Sequence, residues 1–446
     1  MSDLLVSYYG DDFSGSADVM EVLSSAGLRT ILFLSPPTAA QLKRFPEARA
    51  VGVAGISRSL PVAQLEQELR PAFERLRHVA PFFHYKICST FDSSPEIGSI
   101  GRSIDVGRQV FQPDYVPVVV GAPALGRYCL FGNLFASSGT GAPVSRLDRH
   151  PTMSCHPATP MDEADLIRVL GRQTNAKVGL VDWRALEGEA EGELDRIRSA
   201  GAEVVLFDTA TERHLQAIGR LLWQQISSGT RSFAVGSSGI EYALVSYWRK
   251  SRVVATSRPS GAIAPADRLL VVSGSCSPVT AGQIGAALEA GFREVRLDPQ
   301  DWVRGEFGRA VDDALGELRA GRSVIVHSAA GPDDPRLQAA TSVLQSSSTL
   351  EQRNPLLSKC LSAICRAAIE IGVRRIAIAG GDTSGHVTRE LRVEALEWIG
   401  PIAPGSPLCR VVDGPAALEG LEMTFKGGQV GRPDFFVRTL RGSEQA

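Results

Sequence analysis

The 446-residue chain alternates short apolar runs with amphipathic stretches along nearly its whole length. "LLVSYY" (residues 4–9) precedes a helix-like "SADVMEVLSSAGL". "TILFL" and "AVGVAG" follow, then "FFHYKIC", "VPVVVGAP", "KVGLVDW", "EVVLFDT" and "SFAVGSS". After residue 267 the pattern restarts with "RLLVVSGS", "EVRLD", "SVIVHSA" and "RRIAIAGG". Runs apolar on both faces, alternating with helices, predict parallel sheets covered by helices. The expected fold class is α/β, in two domains, each with a mainly parallel sheet flanked by helices.

The breaks in the pattern set the domain limits. "TSRPSGAIAPAD", residues 256–267, is rich in Pro, Ser, Gly and Ala and reads as a linker between domains at 1–255 and 268–440. Residues 141–166 form a second irregular stretch. A helix is expected directly after Pro160, at "MDEADLIRVLGRQ", with acids in its first turn favouring the helix dipole. "TSGHVTRELRVEALEW" (383–398) reads as one helix, and "SSSTLEQRNP" (346–355) as a surface loop.

Composition narrows the class. Hydrophobic residues make up 43%, charged residues 22%, and the formal net charge is −2. These values suit a soluble globular protein and offer no basic footprint for nucleic acid. The seven cysteines are scattered and form no CxxC pair. That suggests a reducing compartment and argues against a zinc site; Cys88 and Cys276 read as packed side chains. The N-terminal residues do not resemble a signal peptide, and no run is long and apolar enough to span a bilayer. The expectation is a cytoplasmic protein without a membrane or nucleic-acid partner; a homo-oligomer is left open.

The chemistry concentrates where strand-like runs end. In "IAIAGGDTSG" (376–385), Gly380 and Gly381 allow a sharp turn and close approach to a ligand. Free N–H groups at the following helix start make an anion site. Asp382 could hold Mg²⁺ through water; alternatively Asp382 or Thr383 is an ordinary helix cap. In "VVSGSCSPVTAGQ", Ser273, Ser275, Ser277 and Thr280 crowd a second strand end, either to receive phosphate or ribose or to cap a helix. "TFKGGQVG" sets Lys426 beside Gly427 and Gly428. Three such clusters in one half raise the case for a nucleotide site, although none is a Walker A motif.

In the first half, "GDDFSGSAD" puts Asp11 and Asp12 at the C-terminal end of a strand, the ligand-binding rim of an open α/β sheet. One carboxylate could bind substrate hydroxyls and the other accept a proton, with Asp12 assigned as base and Asp11 as orienting group; a plain Asp cap is the alternative. "HYKICSTFDSSPEIGSIGRS" offers Lys86, Ser89, Thr90, Asp92, Ser93 and Ser94 for a small polyhydroxylated anion, with Lys86 its positive pole. Glu96 and Arg102 read as a surface ion pair, and His84 as a partly buried strand residue. His150 and His156 lie in the irregular stretch, near Arg146 and Arg149, and read equally as substrate contacts or exposed loop residues.

Taken together, "GDDFSGSAD", "YKICST", "GRYCLFGNLF", "HPATPMDEADLIRVLGRQT", "VVSGSCSPVTAGQ", "IAGGDTSG" and "FKGGQVG" resemble the four-carbon acid sugar kinase family, nearly end to end. The resemblance implies an N-terminal domain for the sugar acid, a C-terminal domain for ATP with Mg²⁺, and an active site in the cleft between them. It implies substrate contacts from Asp11, Asp12, Ser14 and Gly15, and Lys86, Ser89, Thr90, Asp92 and Arg127 join them as candidate substrate contacts. Nucleotide contacts would come from Ser273, Ser275, Ser277, Gly380, Gly381, Asp382, Thr383 and Gly427. Family members commonly read K-x-D-S-T-x-R-G after the lysine. Here Cys88 stands where an acid is usual and Asp92 where an arginine is usual. That departure points to a divergent branch, with 3-oxo-isoapionate expected first as substrate, ahead of 3-oxo-tetronate or threonate. Two rivals are an NAD(P)-dependent sugar-acid dehydrogenase and a non-catalytic sugar-acid sensor. No GxGxxG follows any strand, which counts against the first; the second would need no nucleotide site.

Overall fold

The computed structural model describes residues 4–137, 143–156, 158–227, 232–254, 263–347 and 353–442. The chain divides into two compact units, Met1–Arg258 and Pro259–Ala446. Most of the expected linker (256–262), and the middle of the expected loop at 346–355, lie outside the described residues. The ends of that loop belong to the helices Pro335–Ser347 and Arg353–Glu370.

The strands of the first unit, in chain order, are β1 (Val6–Gly10), β2 (Thr30–Phe33), β3 (Ala50–Ala54), β4 (Phe82–Lys86) and β5 (Val116–Val119). They continue with β6 (Arg127–Leu130), β7 (Asn133–Ser137), β8 (Val144–Arg146), β9 (Val178–Val181), β10 (Val204–Phe207) and β11 (Ser232–Gly236). Its main sheet runs β2-β3-β1-β4-β11-β5-β10-β9, with every pairing parallel. Seven of these eight strands are buried throughout, which is why their sequences read as unbroken apolar runs. One face packs on aromatic rings, with Phe83, Phe111 and Phe233 stacked and Phe73 tilted or edge-on against them.

The second unit holds β12 (Leu270–Ser273), β13 (Arg293–Arg296), β14 (Val324–His327), β15 (Arg375–Ala379), β16 (Ala395–Ala403), β17 (Ser406–Asp413) and β18 (Glu422–Lys426). Its order is β13-β14-β12-β15-β18-β17-β16. The first five strands are parallel, whereas β17 runs antiparallel to both β18 and β16. All twelve apolar runs read from the sequence are strands, and the α/β class holds in both units.

Several local expectations are corrected. The helix at 381 ends at Glu390, not at Trp398: Arg392 turns left-handed (φ 60°), and Ala395 onward is strand. The helix expected directly after Pro160 begins at Leu166. Asp165 caps Ile167 and Arg168, and Glu163 accepts the Ala164 and Asp165 N–H groups, so these acids precede the helix instead of lying in it. Arg102 pairs with Glu66 (2.5 Å), not with Glu96, because its helix packs on the helix Val62–Leu76. His84 is fully buried, and Cys276 is exposed, not packed.

Candidate active site

In an open α/β sheet, ligands bind beyond the C-terminal strand ends where the strand order reverses. In the first unit the order reverses between β1 and β4, since β3 and β2 lie on one side of β1 and β4 on the other. Gly10 and Lys86 are level in register there, so the turn carrying Asp11 and Asp12 and the turn beginning at Lys86 leave the sheet side by side. Asp12 starts the helix Phe13–Ser25, its Oδ1 accepting the Gly15 N–H at 2.7 Å. A Cβ on Gly15 would sit 2.7 Å from Asp12 Oδ1 and 2.9 Å from Lys86 Nζ, so a side chain there would displace one or both groups. Lys86 is buried, its Nζ donating to the Ile87 carbonyl (2.9 Å) and lying 3.9 Å from Asp18 Oδ2. Part of its charge is therefore spent on Asp18.

Arg58 organises this turn, and sequence reading missed it. It follows β3 in "GISRSL" and reaches across to β1. Its Nε and Nη2 donate to Asp11 Oδ2 and Oδ1 (3.1 and 2.7 Å), and Nη1 donates to Asp12 Oδ2 (2.6 Å). Burial pushes the Asp11 carboxyl above its ordinary value of 3.8, against the opposing pull of Arg58. Arg58→Gln is expected to cost about 3 kcal/mol of stability by leaving Asp11 buried and unpaired. Urea denaturation would measure this, and the double variant Arg58→Gln/Asp11→Asn is expected to recover part of the loss. Full stability in the single variant would show the pair to be unimportant.

The other sequence candidates fall into two groups. Ser14 Oγ is buried with no partner among the described residues. Thr90 is buried with Oγ1 3.0 Å from Cys88 Sγ, and Ser89 is half-buried beside it. Asp92, in contrast, is bonded to Thr159 and lies 3.7 Å from His156 Nδ1, so it anchors the irregular stretch. His84 is spent on Glu241 (2.6 Å) and the Gly236 carbonyl (3.0 Å). His150 Nδ1 accepts the Thr152 and Met153 N–H groups. A cavity of about 770 Å³ near Leu4, Phe33, Leu42, Phe45 and Val79 is mainly apolar and holds none of the candidate side chains.

In the second unit the order reverses between β12 and β15. Ser273, Ala379 and Lys426 are level across β12, β15 and β18, so the three turns singled out in the sequence rise from one sheet edge. Lys426 Nζ donates to Thr280 Oγ1 (2.8 Å), which in turn donates to the Gly428 carbonyl (2.9 Å) and lies 3.1 Å from Ser275 Oγ. A Cβ on Gly428 would meet Ser275 Oγ at 2.9 Å; Gly428 makes the close approach, with Gly427 next to it. Ser273 Oγ accepts the Ser275 N–H, and Ser277 caps the helix Pro278–Glu289. These two serines therefore shape the turn. Neither Asp382 nor Thr383 caps the helix Gly381–Glu390. Gly380 occupies the cap position at φ 117° with no side-chain bond, so the first N–H groups keep their capacity for an anion. Thr383 is buried against Gly274 and Gly380, while Asp382 is exposed.

Residues 6–244 match a family described as a sugar-binding N-terminal domain, and residues 270–436 one described as a nucleotide-binding C-terminal domain. The chain belongs to the four-carbon acid sugar kinase family. Among these sugar-acid kinases it is 42% identical to a 3-oxo-isoapionate kinase of Paraburkholderia graminis, covering 98% of this chain and 94% of that one. It is 34% identical to a 3-oxo-tetronate kinase of Methylobacterium radiotolerans (96% and 97% covered) and 30% identical to one of Cupriavidus necator (98% and 96%). The fold is also that of a protein of Salmonella typhimurium LT2 described as a putative tRNA synthase. The TM-score is 0.79 at 24% identity, over 98% of both chains. At that identity the match speaks for the fold alone.

The Lys426 amine is pushed down to about 7 from its ordinary 10.5 by burial. Between these values the unfolded chain binds more protons than the folded one, so the Lys426 contribution favours folding increasingly as pH rises from 7 to 10.5. A triphosphate beside the amine would restore its charge. Nucleotide binding at pH 8.5 is therefore expected to take up close to one proton. Calorimetry in buffers of different ionisation enthalpy would measure this, and Lys426→Met should abolish it. Uptake unchanged in that variant would remove Lys426 from the site.

Proposed function

We propose that this protein is an ATP-dependent kinase that phosphorylates a hydroxyl of a small branched sugar acid, with 3-oxo-isoapionate first and 3-oxo-tetronates second. The sugar acid binds within residues 1–255 and the nucleotide within 268–440. One observation carries the reading. The second unit gathers Ser275, Thr280, Lys426, Gly428 and the uncapped start of the helix at Gly381 on one sheet edge, which is the chemistry of a phosphate cradle. The first unit gathers carboxylates for hydroxyls instead. The choice of 3-oxo-isoapionate is supported by the identity to the Paraburkholderia enzyme.

In this reading the Gly381, Asp382 and Thr383 N–H groups and Lys426 bind and orient the phosphates. Asp382 fits a magnesium ion held by a single carboxylate through water and otherwise by phosphate oxygens. No cluster of three or more acids, histidines or cysteines that could hold a metal occurs among the described residues. When bound, magnesium neutralises charge on the transferred phosphoryl group. Asp11, held by Arg58, orients the acceptor, and Asp12 takes the proton of the attacking hydroxyl. A coupled ADP-release screen across 3-oxo-isoapionate, 3-oxo-tetronates and threonate tests this. Release should be fastest with 3-oxo-isoapionate. Release with none of them, together with nicotinamide reduction, would favour a dehydrogenase.

A further inference from the structure

The cavity of about 770 Å³ in the first unit has no part in the reaction described above. Its lining includes the buried Leu4, Phe33, Phe45 and Val51 and the half-buried Leu42 and Val79. A hollow of about 300–1,000 Å³, mainly apolar with a few polar groups, is the usual form of a small-molecule site. The ionisable side chains of the lining are Lys43, Arg75 and His78, and no Asp or Glu belongs to it. The whole chain carries 49 acids against 47 lysines and arginines, so this acid-free lining is local and does not follow from composition. An apolar hollow lined by bases alone is complementary to an anion with an apolar body, and works against a cation.

The two permanent cations keep their charge for a ligand. Lys43 is exposed at the end of the helix Ala39–Lys43, and its amine has no hydrogen bond or ion pair among the described residues. Arg75, in the last turn of the helix Val62–Leu76, donates Nη1 to the Pro36 carbonyl (3.1 Å) and has no ion pair among the described residues. A carbonyl orients a guanidinium without neutralising it. The start of the short helix cannot serve the anion instead. Thr38 Oγ1 accepts the Gln41 N–H (3.2 Å), and Gln41 Oε1 accepts the Thr38 N–H (3.0 Å), so these donors are already used. Side-chain charge alone meets the anion, and one ammonium with one guanidinium suits a single carboxylate.

The cavity is also separate from the reacting turn. Leu4 and Ala48 line it before β1 and β3 begin, whereas Asp11 and Asp12 follow the last residue of β1.

We propose that this cavity is a second ligand site of the protein, which takes a monocarboxylate with an apolar body and holds its carboxylate with Lys43 and Arg75. The site stands outside the kinase reading and does not depend on it.

Calorimetry on the full-length protein with decanoate, decanol and decylammonium tests this. One decanoate is expected to bind per chain, about tenfold tighter than decanol, the scale of two exposed charge-assisted contacts. Decylammonium should bind most weakly. Octanoate should bind about tenfold more weakly than decanoate, because two fewer methylenes are buried. Lys43→Gln/Arg75→Gln should bring decanoate to within about threefold of decanol, and Lys43→Glu/Arg75→Glu should make decylammonium the preferred ligand. Both positions are exposed, so the melting temperature should stay close to that of the parent in either variant. No binding of decanoate, equal affinity for the three amphiphiles, a preference unchanged in the charge variants, or displacement by ATP or the sugar acid would overturn the proposal. Uptake only after removal of residues 1–3 would give the cavity to the chain's own N-terminus and overturn it. Self-association abolished by Leu42→Glu, with no uptake of decanoate, would make this face an interface between two copies and overturn it as well.

Discussion

Asp12→Asn is expected to lower turnover by about 100-fold or more, the usual range for removing a general base, with KM for the sugar acid little changed and a modest loss of thermal stability from the Arg58 Nη1 bond. The two adjacent carboxylates are not equivalent. Asp11 has 4% of its side chain exposed, and both its oxygens are held by Arg58. Asp12 has 26% exposed, and each of its oxygens takes one donor, from Gly15 or from Arg58 Nη1. Every oxygen of both carboxylates takes one donor and keeps a lone pair, so what distinguishes Asp12 is its greater exposure to an incoming hydroxyl. An asparagine oxygen can still accept the Gly15 N–H, so the cap survives while the base is lost, and the Arg58 Nη1 bond is lost with it because the amide NH2 cannot accept. Asp11→Asn is different: it removes the bidentate partner of Arg58 and should destabilise the fold as well as the reaction. Steady-state kinetics with thermal melts on both variants would decide the matter. Near-normal turnover in Asp12→Asn with loss in a well-folded Asp11→Asn would exchange the roles, and normal turnover in both would place the base elsewhere.

The parallel strands were legible because burial on both faces leaves a simple signature, such as "VPVVV" or "RRIAIA", which local composition carries by itself. The antiparallel elements had no such signature. β16 and β17 contain Pro401 and Pro407, which face each other across the hairpin at register shifts. Proline removes a ladder donor and reads locally as a breaker, and only Ala395–Trp398 of this hairpin is read from the sequence at all, as the end of a helix. The β6–β7 hairpin turns on Phe131 and Gly132, both at positive φ (49° and 74°), the two-residue geometry that suits strand twist. A phenylalanine at the first turn position hides that signal.

The candidate site divides along the same line. Turns made by neighbouring residues could be found, since Gly, Ser, Thr and Asp directly after an apolar run announce a strand end with ligand-facing groups. Contacts that depend on strand order could not. Arg58 meets Asp11 only because β3 lies beside β1, and Lys426 meets Thr280 across 146 residues only because β12, β15 and β18 are neighbours. The same non-local placement gives Asp92 to Thr159, 67 residues away in sequence.

Gly381→Val is expected to weaken ATP·Mg²⁺ binding about 100-fold, the scale on which an ångström of misplacement acts, without a loss of stability. Beyond its chain neighbours and the backbone of its own helix turn, a Cβ built on Gly381 meets no atom of the described residues within 4 Å, and Gly381 is not among the glycines held at positive φ. Valine can therefore occupy the first position of the helix Gly381–Glu390 without strain. What it obstructs is the space over the uncapped N–H groups, where an anion would approach. Gly380 cannot serve the same purpose. At φ 117°, with a Cβ only 2.8 Å from Thr383 Oγ1, any side chain there would break the turn itself, and lost binding would report lost structure. The pair of variants thus separates ligand approach from turn geometry. Calorimetry on Gly381→Val, with its melting temperature and sugar-acid affinity measured on the same preparation, provides the reading. An unchanged ATP affinity in a folded Gly381→Val protein would move the phosphates away from this helix and leave Ser275, Thr280 and Lys426 to hold them alone.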